Sequence, residues 1–195
     1  MIKKQFTYVY FYLFIGLCIS CKTSVPYTQN EKLDLVKRYK NDQEIQQYDL
    51  KRLGDKKYFD SINKVAEIVF QENTKIIKEY FKNKQFPGIK ENGKEVALSF
   101  WVIVQHSDHD IVFQQQVLKS MRKKLKSKDV SRRNYAYLYD RVAKNKKQKQ
   151  LYGTQVVWDT GFPVPYSLKE PEKLNRLRKG MDLEPIEEYL SSFLK

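Results

Sequence analysis

The chain has 195 residues, 37 Lys and Arg against 23 Asp and Glu, a net charge of +14, and only two cysteines. That length holds one domain with a real core, and two cysteines exclude a disulfide framework or a cysteine-built metal site. The positive balance favours polyanionic neighbours, yet no nucleic-acid module is present and the aromatics are not interleaved with the basic runs, which argues against nucleic acid.

Residues 1–20 read as a lipoprotein-type signal peptide: MIKKQ supplies two lysines, and FTYVYFYLFIGLCIS supplies an apolar stretch too short to span a bilayer comfortably. Ser20 followed by Cys21 resembles the lipobox of bacterial lipoproteins, with Leu17 and Ile19 fitting its apolar character and Cys18 departing from it. Lipidation at Cys21 makes the rest a membrane-anchored envelope protein, periplasm-facing or at the surface, with no free thiol; a plainly cleaved signal or an uncleaved anchor is the alternative. Residues 21–30 form the tether, and residues 31–195 a single domain.

Apolar residues at mixed helical spacing predict a helix from Glu31 to about Leu53, broken near Asn41, and Gly54 and Asp55 punctuate it. A second helix, from Tyr58 or Asp60 to Asn83, carries Ile62, Val65, Ala66, Val69, Ile76, Ile77 and Tyr80 as a core-facing stripe. QFPGIKENG then breaks the pattern. Glu95 to His106 is apolar almost all round and about a dozen residues long, so a buried central helix is favoured over a strand. Asp108 or Asp110 is placed to cap the next helix, which runs through Val112, Phe113, Val117, Leu118, Met121 and Leu125. Ser131 caps a further helix, SRRNYAYLYDRVAKN. QLYGTQVVWDTGFPVPYSL reads as a hairpin, and two short helices, Glu170 to Lys179 and Glu184 to Phe193, close the chain. The fold class is mainly α: a compact helical domain with a small β-hairpin near the C-terminal third.

The landmarks IVQHSDHD, FQQQVL, YAYLYDRV, QLYGTQ and NRLRKGMDLEPIEEYL, in this order, resemble the bacterial family catalogued as domain of unknown function 6624. The family's Asp-Gln pair in an early helix corresponds to Asp42 and Gln43, its Asn in the next helix to Asn73, and its aromatic-Pro turn to Phe86 and Pro87. Gln46 stands where relatives often carry Arg, and Gln85 where the turn has Gly. The resemblance brings no activity with it.

Both histidines lie in QHSDHD. A histidine at the polar end of a buried helix, with a carboxylate near, is suited to general acid–base work, which makes His106 with Asp108 or Asp140 the catalytic candidates. Arg141 is suited to clamp an anion, and Gln105, Tyr152, Thr154, Gln155, Asp42 and Gln43 to contact a bound ligand. The structural alternative is that Gln105 and His106 satisfy carbonyls at the helix end, Asp108 caps and Tyr152 fills core. Helical projection sets Asp140 opposite the Tyr135, Leu138 and Val142 face, which by itself makes Asp140 and Arg141 surface residues. A metal held by His106, Asp108, His109 and Asp110 matches no established spacing, a serine relay lacks its G-x-S-x-G elbow, and no cofactor is called for. Three functions stay open: a polar ligand pocket built from the QHSD, DR and YGTQ elements, an envelope hydrolase, and a scaffold without a small-molecule site. The basic runs MRKKLKSK, SRR and NKKQKQ favour anionic lipid or acidic glycan as a neighbour, or else form a solvated face.

Overall fold

A computed structural model describes residues 25–52 and 54–194; the signal, Cys21 and the start of the tether lie outside them. Eight α-helices and one hairpin follow in chain order among the described residues. Helix α1, Gln29–Glu44, opens on a reciprocal cap in which Thr28 accepts from the Glu31 amide and Glu31 accepts from the Thr28 amide. It stops at Glu44 rather than reaching the expected end near Leu53, and the chain continues through an irregular segment and a 3₁₀ turn at Leu50–Arg52. Helix α2, Lys56–Lys84, begins at Asp55, whose carboxylate accepts from the Tyr58 amide. The QFPGIKENG break contains a single helical turn, α3, Ile89–Asn92.

Helix α4, Lys94–Gln105, is the apolar centre foreseen from its sequence. It packs against α1, α2 and α3, and also against α5, Ile111–Lys124, and α6, Arg132–Asn145. Its Phe100, Ile103 and Val104 are almost wholly excluded from water and join Leu35, Ile77, Phe81, Phe113, Val117, Met121 and Leu138 in one core. Side chains of that size each stabilise the fold by about 1.5–3 kcal/mol when removed from water. Of its apolar side chains only Leu98 reaches solvent substantially, and half-buried Trp101 donates its indole N–H to the Asn134 carbonyl.

Of the two aspartates able to cap α5, it is Asp110 that accepts from the Phe113 amide, and Ser131 caps α6 through the Asn134 amide. Strands β1, Val156–Asp159, and β2, Phe162–Pro165, pair antiparallel, with Thr160 and Gly161 at positive φ in the tight turn. Helices α7, Leu174–Gly180, and α8, Ile186–Ser191, follow, the first entered by a 3₁₀ turn at Pro171–Lys173. No helix among the described residues is long and apolar enough to cross a membrane.

Candidate functional site

Residues three and four apart share a helix face, so the core-facing stripe of α1 passes from Leu35 through Arg38 to Asp42. On α2 the facing stripe runs Ala66, Phe70, Asn73, Thr74 and Ile77. On both, polar side chains stand at the level where α4 ends, Asp42 at His106 and Thr74 at Ser107. There His106 forms the C-cap of α4, its N–H bonded to the Val102 carbonyl and its φ and ψ near −88° and 3°.

The His106 ring meets a fully buried carboxylate. Its Nδ1 lies 2.9 Å from both Oδ1 and Oδ2 of Asp42, which has no solvent exposure. Gln43 and Gln46 donate side-chain amides to Asp42 Oδ1 at 2.9 and 3.2 Å, so the carboxylate is held from several sides. Phe70 stacks on the imidazole, with ring centroids 4.6 Å apart and planes at 31°. A carboxylate bonded at Nδ1 selects the tautomer with the proton there, leaving Nε2 as the basic nitrogen. Nε2 has no hydrogen-bond partner among the described residues, and the ring lines a cleft of about 260 Å³.

Gln46, Tyr48, Asn63, Glu67, His109 and Arg141 are among the other walls of that cleft, together with Asp108. Arg141 grips Asp108 with two prongs, Nε at 2.8 Å and Nη2 at 2.6 Å. Asn145, one turn further along α6, adds a bond of 2.7 Å, and the buried Gln114 amide joins Asp108 to the end of α4 through the Val104 carbonyl. Burial works to raise the Asp108 carboxyl, but the Arg141 bonds and charge, with Gln114 and Asn145, prevail and hold it below the usual carboxylate range. Ser107 is buried beside these groups and committed, donating to the Ile103 carbonyl and sharing a 2.7 Å bond with Thr74. Asp110 pairs with Lys78 besides capping α5, and His109 is exposed. Among the described residues no three His, Cys, Asp or Glu side chains come together in a way that would hold a metal ion.

The other predicted residues sit elsewhere. Asp140 is wholly buried, not on the surface where helical projection alone sets it, because the segment after α6 folds back over it. Its carboxylate accepts from the Leu151, Tyr152 and Thr154 amides and from the Thr154 hydroxyl, at 2.8 to 3.1 Å. Burial pushes its carboxyl above the usual carboxylate range against the pull of those donors. Gln155 closes the same loop by donating its amide to Gln150 Oε1, while Gln150 returns its side-chain amide to the Gln155 and Tyr166 carbonyls. Tyr152 packs edge-on against Tyr139. None of Asp140, Tyr152, Thr154 and Gln155 lines the His106 cleft. Gln105 is buried next to His106 in the chain, its side-chain nitrogen unpartnered among the described residues.

Arg178, to which the sequence pattern assigns no role, is the largest fully buried side chain among the described residues. It donates to the Glu184, Tyr152 and Gly153 carbonyls and sits over the Tyr189 ring, tying α7 and α8 to the loop that Asp140 organises. Phe70, Tyr48, Asn63 and Glu67 were likewise missed as cleft residues. For Phe70 the signal was its place one turn before Asn73; for the others the sequence carries none.

No curated protein and no solved structure matches this chain. Residues 26–194, which include every element of the cleft and of the loop over Asp140, match the Family of unknown function (DUF6624), and the chain is a member of that family.

Proposed function

We propose that the cleft binds a small polar ligand and that His106, oriented by Asp42, acts on it as a general acid and base. The observation that carries this reading is the pairing of His106 Nδ1 with a fully buried carboxylate at 2.9 Å, on a ring that lines the cleft and whose other nitrogen has no partner among the described residues. Asp42 holds the ring in one tautomer and stabilises the imidazolium that forms when Nε2 takes a proton. The Ser107 hydroxyl is buried and committed, and the Asp108 carboxylate is engaged by Arg141, which in this reading leaves water as the nucleophile. The proton taken is therefore that of a water attacking an ester, amide or phosphoester. Arg141, part of its charge offset by Asp108, supplies a positive wall that suits an anionic group on the ligand. A volume of about 260 Å³ suits a small substrate rather than a polymer segment wholly enclosed.

In this reading the ligand elements are QHSD with Arg141 of the DR pair and Asp42, and the YGTQ element supports them by ordering the fold. The protein works at a bacterial envelope, anchored by lipid on Cys21; the support is the signal-like N-terminus and the Ser20-Cys21 junction. Mass spectrometry of the N-terminus of the membrane-extracted protein should find lipid on Cys21 as the first residue, and an unmodified Cys21 would refute the anchor.

The activity is tested by screening esters, amides and phosphoesters with the parent, His106→Gln and Asp42→Asn. His106→Gln should abolish turnover, and Asp42→Asn should lower it by roughly 10²–10⁴ at neutral pH, because the tautomer is no longer enforced. A ligand that raises the melting temperature of the parent but not of His106→Gln, without turnover, would assign binding alone. A pocket with neither turnover nor any His106-dependent ligand would leave the polar motifs as scaffold, a reading favoured by the complete internal use of Asp140 and Thr154.

A further inference from the structure

A second cavity, unrelated to the His106 cleft, opens between α5 and α6 and has a volume of about 600 Å³. Its floor is apolar and aromatic, formed by Leu118, Tyr135, Tyr139 and Val142. Tyr135 and Val142 are buried members of the main core, so the floor is rigid rather than a loose surface patch. Its rim is cationic: Lys119 and Arg122 from α5, Lys146 and Lys149 from the segment after α6, and Lys169. Among the described residues no carboxylate lines the cavity. None of those five cations forms an ion pair among the described residues, although ten ion pairs occur elsewhere, including those of Lys78, Lys84, Lys124 and Arg141.

On a chain of +14 many cations stand unpaired, and what sets these five apart is that they surround one apolar depression. Converging like charges repel one another, and that cost is relieved by an anion among them. The floor meanwhile removes apolar surface from water only when something apolar covers it. Charge complementarity and the apolar floor together describe an amphiphile with a phosphate-type head and a hydrocarbon body. We propose that this groove binds an anionic phospholipid, its phosphate among Lys119, Arg122, Lys146 and Lys149 and the start of its acyl region on Leu118 and Tyr139.

The test uses the full chain in neutral detergent, with native mass spectrometry counting bound lipid as phosphatidylglycerol or phosphatidylcholine is titrated in. The N-terminal segment is common to all variants, so its own lipid contacts cancel in the comparison. Phosphatidylglycerol should bind at one saturable site and phosphatidylcholine should not compete for it. Lys146→Ala/Lys149→Ala should weaken that site roughly 30-fold at low salt, about fivefold for each lysine near an anionic headgroup. The control Lys37→Ala/Lys40→Ala removes the same charge from exposed positions of α1, outside the groove, and should leave the site within about twofold. Equal weakening by both pairs would overturn the proposal in favour of general attraction to net charge. Displacement of the lipid by glycerol phosphate at comparable affinity would also overturn it, assigning the groove to a soluble phosphorylated ligand. Neither result bears on His106, whose cleft shares no lining residue with this groove.

Discussion

Asp140→Ala is the substitution on which the structural and catalytic readings of that residue part. In the parent, Asp140 accepts from three backbone amides and one hydroxyl while showing no surface to water. Each buried amide left without an acceptor costs about 1–3 kcal/mol, so three give about 3–9 kcal/mol if nothing moves. Two effects lower that figure. The emptied site admits water to the amides, and loss of the carboxylate removes its own desolvation penalty, visible as a carboxyl pushed upward by burial. A net loss of about 3 kcal/mol is expected, and for a domain of this size that lowers the melting temperature by roughly 6–12 °C. Asp140→Asn keeps the shape and one carbonyl acceptor but turns an NH₂ toward donors, and should fall between the two. Circular dichroism melts, with urea titrations to check the m-value, decide the matter. An Asp140→Ala chain melting within 2 °C of the parent at unchanged m would refute the view that this carboxylate orders the Leu151 to Thr154 loop, and would return Asp140 to the acid–base candidates.

For the dyad, a double-mutant cycle of Asp42→Asn and His106→Gln should give a coupling of about 1–3 kcal/mol; additive single losses would mean the 2.9 Å contact carries no interaction energy. Asp108 gives a pH signature: its carboxyl is held low in the fold, so the stability it contributes is present above the unfolded value near 3.9 and drains as pH falls through the folded value. Asp108→Asn lacks that drain, and as pH falls below about 4 it should lose stability less steeply than the parent; parallel acid-unfolding curves would refute the assignment. Arg178→Met keeps much of the volume but strips the donors from the Glu184, Tyr152 and Gly153 carbonyls. A loss of about 3 kcal/mol is expected, and hydrogen exchange should rise first in residues 171–194; uniform loss across α1 to α6 would contradict a local anchor.

The contrast between Asp42 and Asp140 shows how far the sequence carries. Both are carboxylates on helices, and helical spacing leaves Asp42 beside the Leu35 stripe and Asp140 away from the Tyr135, Leu138 and Val142 face. Periodicity sees only which side of a helix meets the nearest apolar neighbour. It therefore located α2, α4, the capping serine of α6 and the hairpin, all of which rest on local patterns of burial, caps and turns. It had no access to the 64-residue separation across which Asp42 reaches His106, nor to the loop whose amides point at Asp140. Those pairings depend on where α1 crosses the end of α4 and on the return of the chain at Gln150 to Gln155. The family resemblance did single out all of Asp42, His106, Asp140 and the YGTQ element, without saying which groups meet. A shared motif marks residues the fold cannot vary freely, and a buried carboxylate that orders a loop satisfies that condition as well as one that orients a histidine. What separates the two roles is what the carboxylate leaves unpaired: around Asp140 every donor is consumed by the loop, whereas the bond to Asp42 leaves the second nitrogen of His106 available to a ligand.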